Sequence, residues 1–459
     1  MDEQLLIIKI VQRENESGCF DIIIGGIPIH SCIAESLRMS FLKSQGFGQM
    51  VNRQGANSAD VIKTFFNSCY HLVKLLLSHR RYENLIYSFA RVDKVGESYM
   101  DKFTDPVIEL SDIKDNYIIF ERSRGGKHSK PRAHSGNVVY SDSIDIILDI
   151  YARIFCGSYK KKHKNEFVEY FKCIKDVYGE ENINEQFLSH DIYFRILKIR
   201  FYKWLFKKLG IKRLFSVSRN FFLTLLYSAK SSGIPVYEFQ HGITYAETTE
   251  YSGYRHPMFT PDKFLAFGDN EPKDVYGIDE KDIVEIGWAF GSYIENVKVE
   301  ELEDVREDDI LVISDPTVTS QIIDATITLA NSSPHLKFYI RCHPMELLTQ
   351  EHVDKLEKYK NIHIQDRTIN IAVVMKYFTN VIGESSTVLY EALSANKKVG
   401  KLFMSGMKPR YLKEEDSACF WKITGINDFK EFVNGKSDEK VSKSIYSEFK
   451  KEKVNALLA

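Results

Sequence analysis

Asn380-Val381-Ile382-Gly383-Glu384-Ser385-Ser386-Thr387-Val388-Leu389-Tyr390-Glu391-Ala392-Leu393 is an apolar run, a glycine, three consecutive hydroxyls and then an apolar-periodic segment. The pattern predicts a buried strand over 381–383 that turns directly into a helix over 386–395. Its neighbours repeat the unit. Strands are predicted at 310–314, 336–341, 362–365 and 399–403, and helices at 319–331, 352–359 and 369–377. Short apolar strands alternating with ten-residue helices predict a parallel, doubly wound sheet.

The preceding half is less regular. Strands are expected at 21–24, 84–88, 117–120 and 138–140, with helices at 59–77 and 144–155. A cleaner series follows: strand 213–217, helix 219–231, a strand opening at Pro235, then strands 262–267 and 283–286. The acidic run 300–309 is the expected linker. The fold class predicted is α/β, with two Rossmann-like, doubly wound domains (1–300 and 301–427) facing across a cleft. A charged helical segment, 428–459, is expected to pack back on the first domain.

Bulk properties narrow the function classes. The chain has 459 residues, enough for two cores, and its 44% hydrophobic and 27% charged content is that of a globular protein. A net charge of −1 argues against a dedicated nucleic-acid binder. Seven cysteines without Cys-x-x-Cys spacing suggest neither a zinc site nor a disulfide framework, and a reducing cytoplasm fits them. The N-terminus lacks the features of a signal peptide, and no apolar run is long enough for a transmembrane helix. Membrane contact is therefore expected only at the surface. The basic, aromatic segment 194–215 suits the inner face of the cytoplasmic membrane, or else is a buried helix whose lysines reach outward.

Three polar clusters sit at predicted strand ends, where ligands bind in open α/β sheets. Ser385, Ser386 and Thr387 combine hydroxyls with a helix N-terminus, a setting for a phosphate, although one of them can simply cap the helix. Glu391, one turn on, faces either a ribose or solvent. Arg341-Cys342-His343-Pro344 ends another strand; His343 can donate to a phosphate oxygen, and Arg341 either reinforces it or pairs with an acid. Gln240-His241-Gly242-Ile243-Thr244 follows a third strand. A histidine near neutral pKa suits removal of a proton from an acceptor hydroxyl, so His241 is the candidate base and Asp105 the alternative. Gly25, Gly26, Arg91, Gly242 and Thr244 are expected on the acceptor side. No Asp-x-Asp follows an apolar strand, so no metal is expected and no cofactor beyond a nucleotide-sugar substrate.

With these motifs in place, the chain resembles the GT-B glycosyltransferases of bacterial surface-polysaccharide (capsule and lipopolysaccharide) clusters. The order His-Gly, His-Pro, Ser-Ser/Thr looks like that of teichoic acid glycerophosphotransferases. The last two motifs also resemble those of sialyl-, polysialyl- and Kdo-transferases, which use CMP-activated donors. The resemblance implies a base at His241 and donor contacts at Arg341, His343, Ser385, Ser386 and Thr387. It implies an inverting, metal-independent transferase passing a sugar from a CMP-linked or UDP-linked donor to a glycan or lipid-linked glycan acceptor. Three other readings remain open: a CDP-polyol phosphotransferase, a nucleotide-sugar epimerase on the same architecture, and a non-catalytic membrane assembly subunit.

Overall fold

A computed structural model describes residues 3–47, 57–89, 92–243, 251, 256–268, 276–297, 305–343, 346, 348–365, 368–411, 414–435 and 446–459. Arg91, Thr244, Pro344 and the first part of the expected linker, 300–304, lie outside them.

The chain opens with helices α1 (Glu3–Ser17) and α2 (His30–Ser44), joined through a hairpin of β1 (Ile23–Ile24) and β2 (Ile27–Pro28). Helix α3 (Ser58–Leu77) leads into β3 (Asn84–Tyr87), a second hairpin of β4 (Val92–Val95) and β5 (Ser98–Asp101), and α4 (Asp105–Leu110). Strands β6 (Tyr117–Glu121) and β7 (Val138–Tyr140) precede three helices, α5 (Asp142–Lys162), α6 (Lys164–Tyr178) and α7 (Glu185–Leu209). Then come β8 (Arg213–Val217), α8 (Leu223–Lys230), β9 (Val236–Phe239), β10 (Lys263–Ala266), β11 (Ile283–Glu285) and α9 (Ala289–Glu295). The large sheet built from these strands has the order β11-β10-β9-β8-β3-β6-β7, and every ladder in it is parallel. Strand order reverses between β3 and β8, which puts a crevice beyond their carboxyl ends.

The second half is regular. Strands β12 (Ile310–Ile313), β13 (Phe338–Arg341), β14 (Ile362–Ile364), β15 (Asn380–Gly383), β16 (Lys398–Leu402) and β17 (Trp421–Ile423) alternate with α10 (Thr319–Ser332), α11 (Gln350–Leu356), α12 (Ile371–Val374) and α13 (Thr387–Ser394). Helices α14 (Ile426–Asn434) and α15 (Lys451–Asn455) follow. The sheet order is β14-β13-β12-β15-β16-β17, again all parallel, with its switch point between β12 and β15. Two parallel-sheet, Rossmann-like domains make this an α/β fold of GT-B type. The end of the acidic run is an anchor rather than solvated chain. Asp309 is fully buried and accepts from the backbone N–H groups of Arg306 and Lys337.

Helices α3, α5, α7 and α8 cover one face of the first sheet around Leu85, Ile118, Tyr202 and Phe206. The other face carries Ile86, Phe215 and Phe239, in a core that continues through to Leu311 and Val381 of the second sheet and Leu389 of α13. Helices α1, α2, α6 and the first half of α7 form a lobe with its own core. Two expectations fail there. Gly25 and Gly26 form the turn of the β1–β2 hairpin, both at positive φ (59° and 86°), and the Gly25 N–H donates to Glu166 at 2.7 Å. They serve the helical lobe, not the cleft, because their strand never joins the parallel sheet. Cys19 and Cys173 are joined in a disulfide that ties the hairpin region to α6, across 154 positions that motif spacing could not reveal.

The segment 194–215 takes the second of its two expected forms, a buried helix whose lysines reach outward. Ile196 and Ile199 are buried in the core of the helical lobe, Tyr202, Leu205 and Phe206 against the sheet, and 213–217 is the central strand β8. No apolar face of this segment remains for a bilayer. Its exposed residues are Arg200, Lys203, Trp204, Lys207, Lys208 and Lys212.

Residues 446–458 return to the first domain. Ser447 N–H donates to the Phe267 carbonyl, Trp288 N–H to the Ser447 carbonyl, and Lys450 N–H to the Ile286 carbonyl. Gly287 permits this approach: at φ 79°, a β-carbon there would lie 2.0 Å from the Glu448 carbonyl oxygen.

Candidate functional site

The carboxyl end of β9 delivers Gln240 and His241. Gln240 is buried and works as a clamp. Its side-chain oxygen accepts from Phe267 N–H at 2.7 Å and its amide donates to the Gly242 carbonyl at 3.0 Å. The half-buried His241 ring lies 5.6 Å from Phe89 at the end of β3, and its Nδ1 lies 3.5 Å from the Tyr251 hydroxyl. Beneath it Glu238, fully buried, takes the Arg219 side chain at 2.6 Å and its N–H at 2.8 Å. Ser218, between β8 and this ion pair, is buried at φ 59°, a conformation rarely adopted by a non-glycine residue and concentrated at functional sites.

The second domain supplies the opposite wall. Ser386 caps α13 by accepting from Val388 N–H, and Ser385 accepts from Arg410 N–H at 3.0 Å. Both hydroxyls therefore have structural partners, and they still border a helix N-terminus whose dipole favours an anion. The two walls meet: a β-carbon built on Gly242 would lie 3.8 Å from the Thr387 methyl carbon. The His-Gly turn and the hydroxyl-rich helix start are thus in van der Waals range across the two domains.

His343 is half-buried at the end of β13 and its N–H donates to Glu346 at 2.8 Å. Glu346 itself is buried and also accepts from Ser314 at 2.7 Å, tying the ends of β12 and β13 together. Sequence reading missed Glu346, although a carboxylate three residues after a strand-ending histidine is a signal for such a turn. Arg341 is a brace rather than an anion ligand, donating to Gln365 and, at 2.7 Å, to the Ile369 carbonyl. Glu391 faces neither a ribose nor open solvent; it is buried and paired with Lys102 at 3.0 Å.

Asp105 is also corrected. It is fully buried, bonded through both oxygens to Arg132, and accepts from Asp101 N–H at 2.8 Å. Arg132 bridges on to Glu121 at 2.6 Å, and His128 links Glu121 to Asp142. A carboxylate so enclosed and so paired cannot meet an acceptor hydroxyl. Its neighbour Asp101 accepts from Ser88 Oγ and Phe89 N–H at 2.7 and 2.8 Å, fixing the end of β3 beside His241. Burial, with the nearby Asp105 charge, pushes Asp101 up to about 6.

A cavity of about 710 Å³ opens where the helical lobe overhangs the first sheet. Its walls include Arg122 beyond β6, Asn220 and Phe221 beyond β8, Asp145 and Asp149 on α5, and Phe194, Arg195 and Lys198 on α7. Lys198 pairs with Asp145 at 2.6 Å, yet burial outweighs that partner and lowers its pKa. Cys32 in the wall is pushed up to about 12 by burial, which leaves an unreactive thiol. Phe221 in its wall lies 5.7 Å from Phe89, whose ring lies 5.6 Å from that of His241. Among the described residues no cluster of three or more His, Cys, Asp or Glu is arranged to hold a metal ion.

No protein-family model matches the chain, and no curated protein sequence does either. Solved structures do. The UDP-GlcNAc 2-epimerase from Neisseria meningitidis bound to UDP-GlcNAc superposes with a TM-score of 0.50 at 13% identity, over 82% of this chain and 98% of that one. A putative UDP-N-acetylglucosamine 2-epimerase from Listeria monocytogenes gives 0.49 at 10% identity, over 82% and 95%. The glycosyltransferase SnogD from Streptomyces nogalater gives 0.45 at 10% identity, over 83% and 99%. At these identities, the match to the Neisseria structure identifies a shared two-domain fold.

Proposed function

We propose that this chain is an enzyme acting on a nucleotide-linked sugar, with the nucleotide phosphate at the start of α13 and the reacting sugar beside His241. The juxtaposition of Gly242 and Thr387 carries the reading, because it puts a proton-transfer group and an anion-favouring helix terminus on two sides of one cleft. Breaking the bond between the anomeric carbon and the phosphate leaves charge on that phosphate. The helix terminus and His343 would stabilise it, and such preorganised electrostatics usually supply the largest catalytic term.

Of the fates open to the sugar, epimerisation has the support of the fold likeness to a UDP-GlcNAc 2-epimerase, and it is the reading adopted, with a UDP-linked sugar in place of the CMP-linked donor expected from sequence. Transfer to a surface glycan is the second reading. The cavity lined by Phe221, two ring contacts away from His241, favours it, since it offers a chamber that an acceptor would occupy.

Incubation with UDP-, CMP- and CDP-linked sugars in the absence of any glycan, followed by NMR, separates the two. A new sugar epimer or free nucleotide without acceptor supports the first reading. Consumption only when an oligosaccharide is added supports transfer. No nucleotide binding by calorimetry would overturn both and leave a docking role.

A further inference from the structure

Helices α3, α5 and α7 share one core against the first sheet, so their outer sides face the same way. Those sides are not the polar surface expected of a solvated layer. On α3, Ile62, Phe66, Tyr70, Val73 and Leu77 are all exposed, Phe66 by 66% and Leu77 by 75%, and they fall within about 80° of one helical face. On α5, which packs beside α3, Ile147, Ile150, Tyr151, Ile154 and Phe155 are exposed as a second stripe. Trp204 on α7 adds a third ring, 48% exposed. Isolated exposed apolar residues are ordinary, but two adjacent stripes form a patch that calls for an occupant.

Charge identifies that occupant. Over their full lengths these three helices hold twelve lysines and arginines against six aspartates and glutamates, in a chain whose net charge is −1. Arg200, Lys203, Lys207 and Lys208 form an outward row beside the apolar stripes, and among the described residues none of the four has an ion-pair partner. A second copy of the chain docked on this face would bring like charges together, whereas anionic headgroups complement them. No helix among the described residues is long and apolar enough to cross a membrane.

We infer that the α3–α5–α7 face docks on an anionic lipid bilayer, with the α3 and α5 stripes entering the headgroup–acyl boundary and the lysines of α7 on the phosphates. Tyr70, Tyr151 and Trp204 are rings of the type that settle at headgroup level. This surface differs from the one the sequence suggested, since segment 194–215 contributes its basic outer side and Trp204 while the apolar stripes come from α3 and α5. The docking is independent of which reaction the enzyme performs.

Flotation with vesicles of phosphatidylcholine alone, or with about one-third phosphatidylglycerol, tests it. The full chain should float with the anionic vesicles and be released by salt. Each basic residue near such a surface strengthens binding roughly fivefold, so K203E/K207E/K208E should lower partitioning at least about a hundredfold. F66S/I154S/F155S should abolish it, with an unchanged circular dichroism spectrum because all three side chains are exposed. Failure of the wild type to float at low salt, or undiminished binding by the lysine variant, overturns the proposal. So does a dimer in light scattering that F66S/I154S/F155S converts to a monomer, which would assign the face to a second copy.

Discussion

Lys102 and Glu391, 289 positions apart in the chain, form an ion pair at 3.0 Å that joins the first domain to the second. Glu391 lies on the helix whose start faces His241, so the pair fixes how the two walls of the cleft stand. Lys102→Ala leaves a mostly buried carboxylate without its partner and should cost about 1–3 kcal/mol in chemical denaturation. The double variant with Glu391→Gln should recover much of that loss. Equal and additive losses would show that the two side chains do not interact in solution.

His241→Ala and His343→Ala should separate turnover from binding. Loss of a general base depresses turnover by about 10²–10⁴-fold, with nucleotide affinity nearly unchanged. Loss of a charged donor to a phosphate weakens binding roughly 10- to 150-fold, read by calorimetry. The reverse pattern would exchange the roles of the two histidines.

The Asp105–Arg132–Glu121 cluster makes a prediction about folding rather than chemistry. Arg132→Leu leaves two buried carboxylates facing each other and should destabilise the chain by about 3–5 kcal/mol. Asp105→Asn should likewise lower the melting temperature. If Asp105→Asn instead melted normally and lost turnover, Asp105 would be reinstated as a catalytic candidate.

Stability should fall as pH rises, in two windows. Asp101 is raised by burial to about 6, so its contribution is complete below the unfolded value of 3.8 and lost as pH rises through 6. Burial opposes the charged form of His128, but its hydrogen bonds to Asp142 and Glu121 outweigh burial and raise it above 6.5. Its contribution is complete below 6.5 and lost as pH climbs past the folded value. Melting temperatures from pH 4 to 9 should show both declines. His128→Gln should flatten the upper one and Asp101→Asn the lower; an upper decline unaffected by His128→Gln would exclude this histidine as its source.

The second domain was legible because its strands are buried on both faces, and so read as apolar runs set off sharply from helical segments. The first was harder. Ile22 to Ile29 has the composition of a core strand, and only two consecutive glycines at positive φ turn it into a hairpin. Helix α6 carries enough charge to pass for loop, and it closes a lobe that local pattern does not announce. His241, Gly242 and Thr387 lie close together because strand ends in parallel sheets converge. Arg341, Glu391 and Asp105 stand at similar positions, but their partners are Gln365, Lys102 and Arg132. Sequence shows that a polar side chain stands at a strand end, not whether a distant segment has already bound it. The outer stripes of α3 and α5 had the same ambiguity, since exposed and buried apolar faces look alike before the helices are packed.

Residues 446–458 also bear on biosynthesis. Tyr237 and Arg213 donate to the carbonyls of Leu457 and Leu458, 220 and 245 positions later. The first domain therefore gains its last hydrogen bonds from chain that emerges from the ribosome only after the entire second sheet. At bacterial or eukaryotic elongation rates, the first domain, whose own last helix ends at Glu295, waits on the order of 8–30 s for residues 446–458. The domain begun first is thus the one whose full set of contacts is available last.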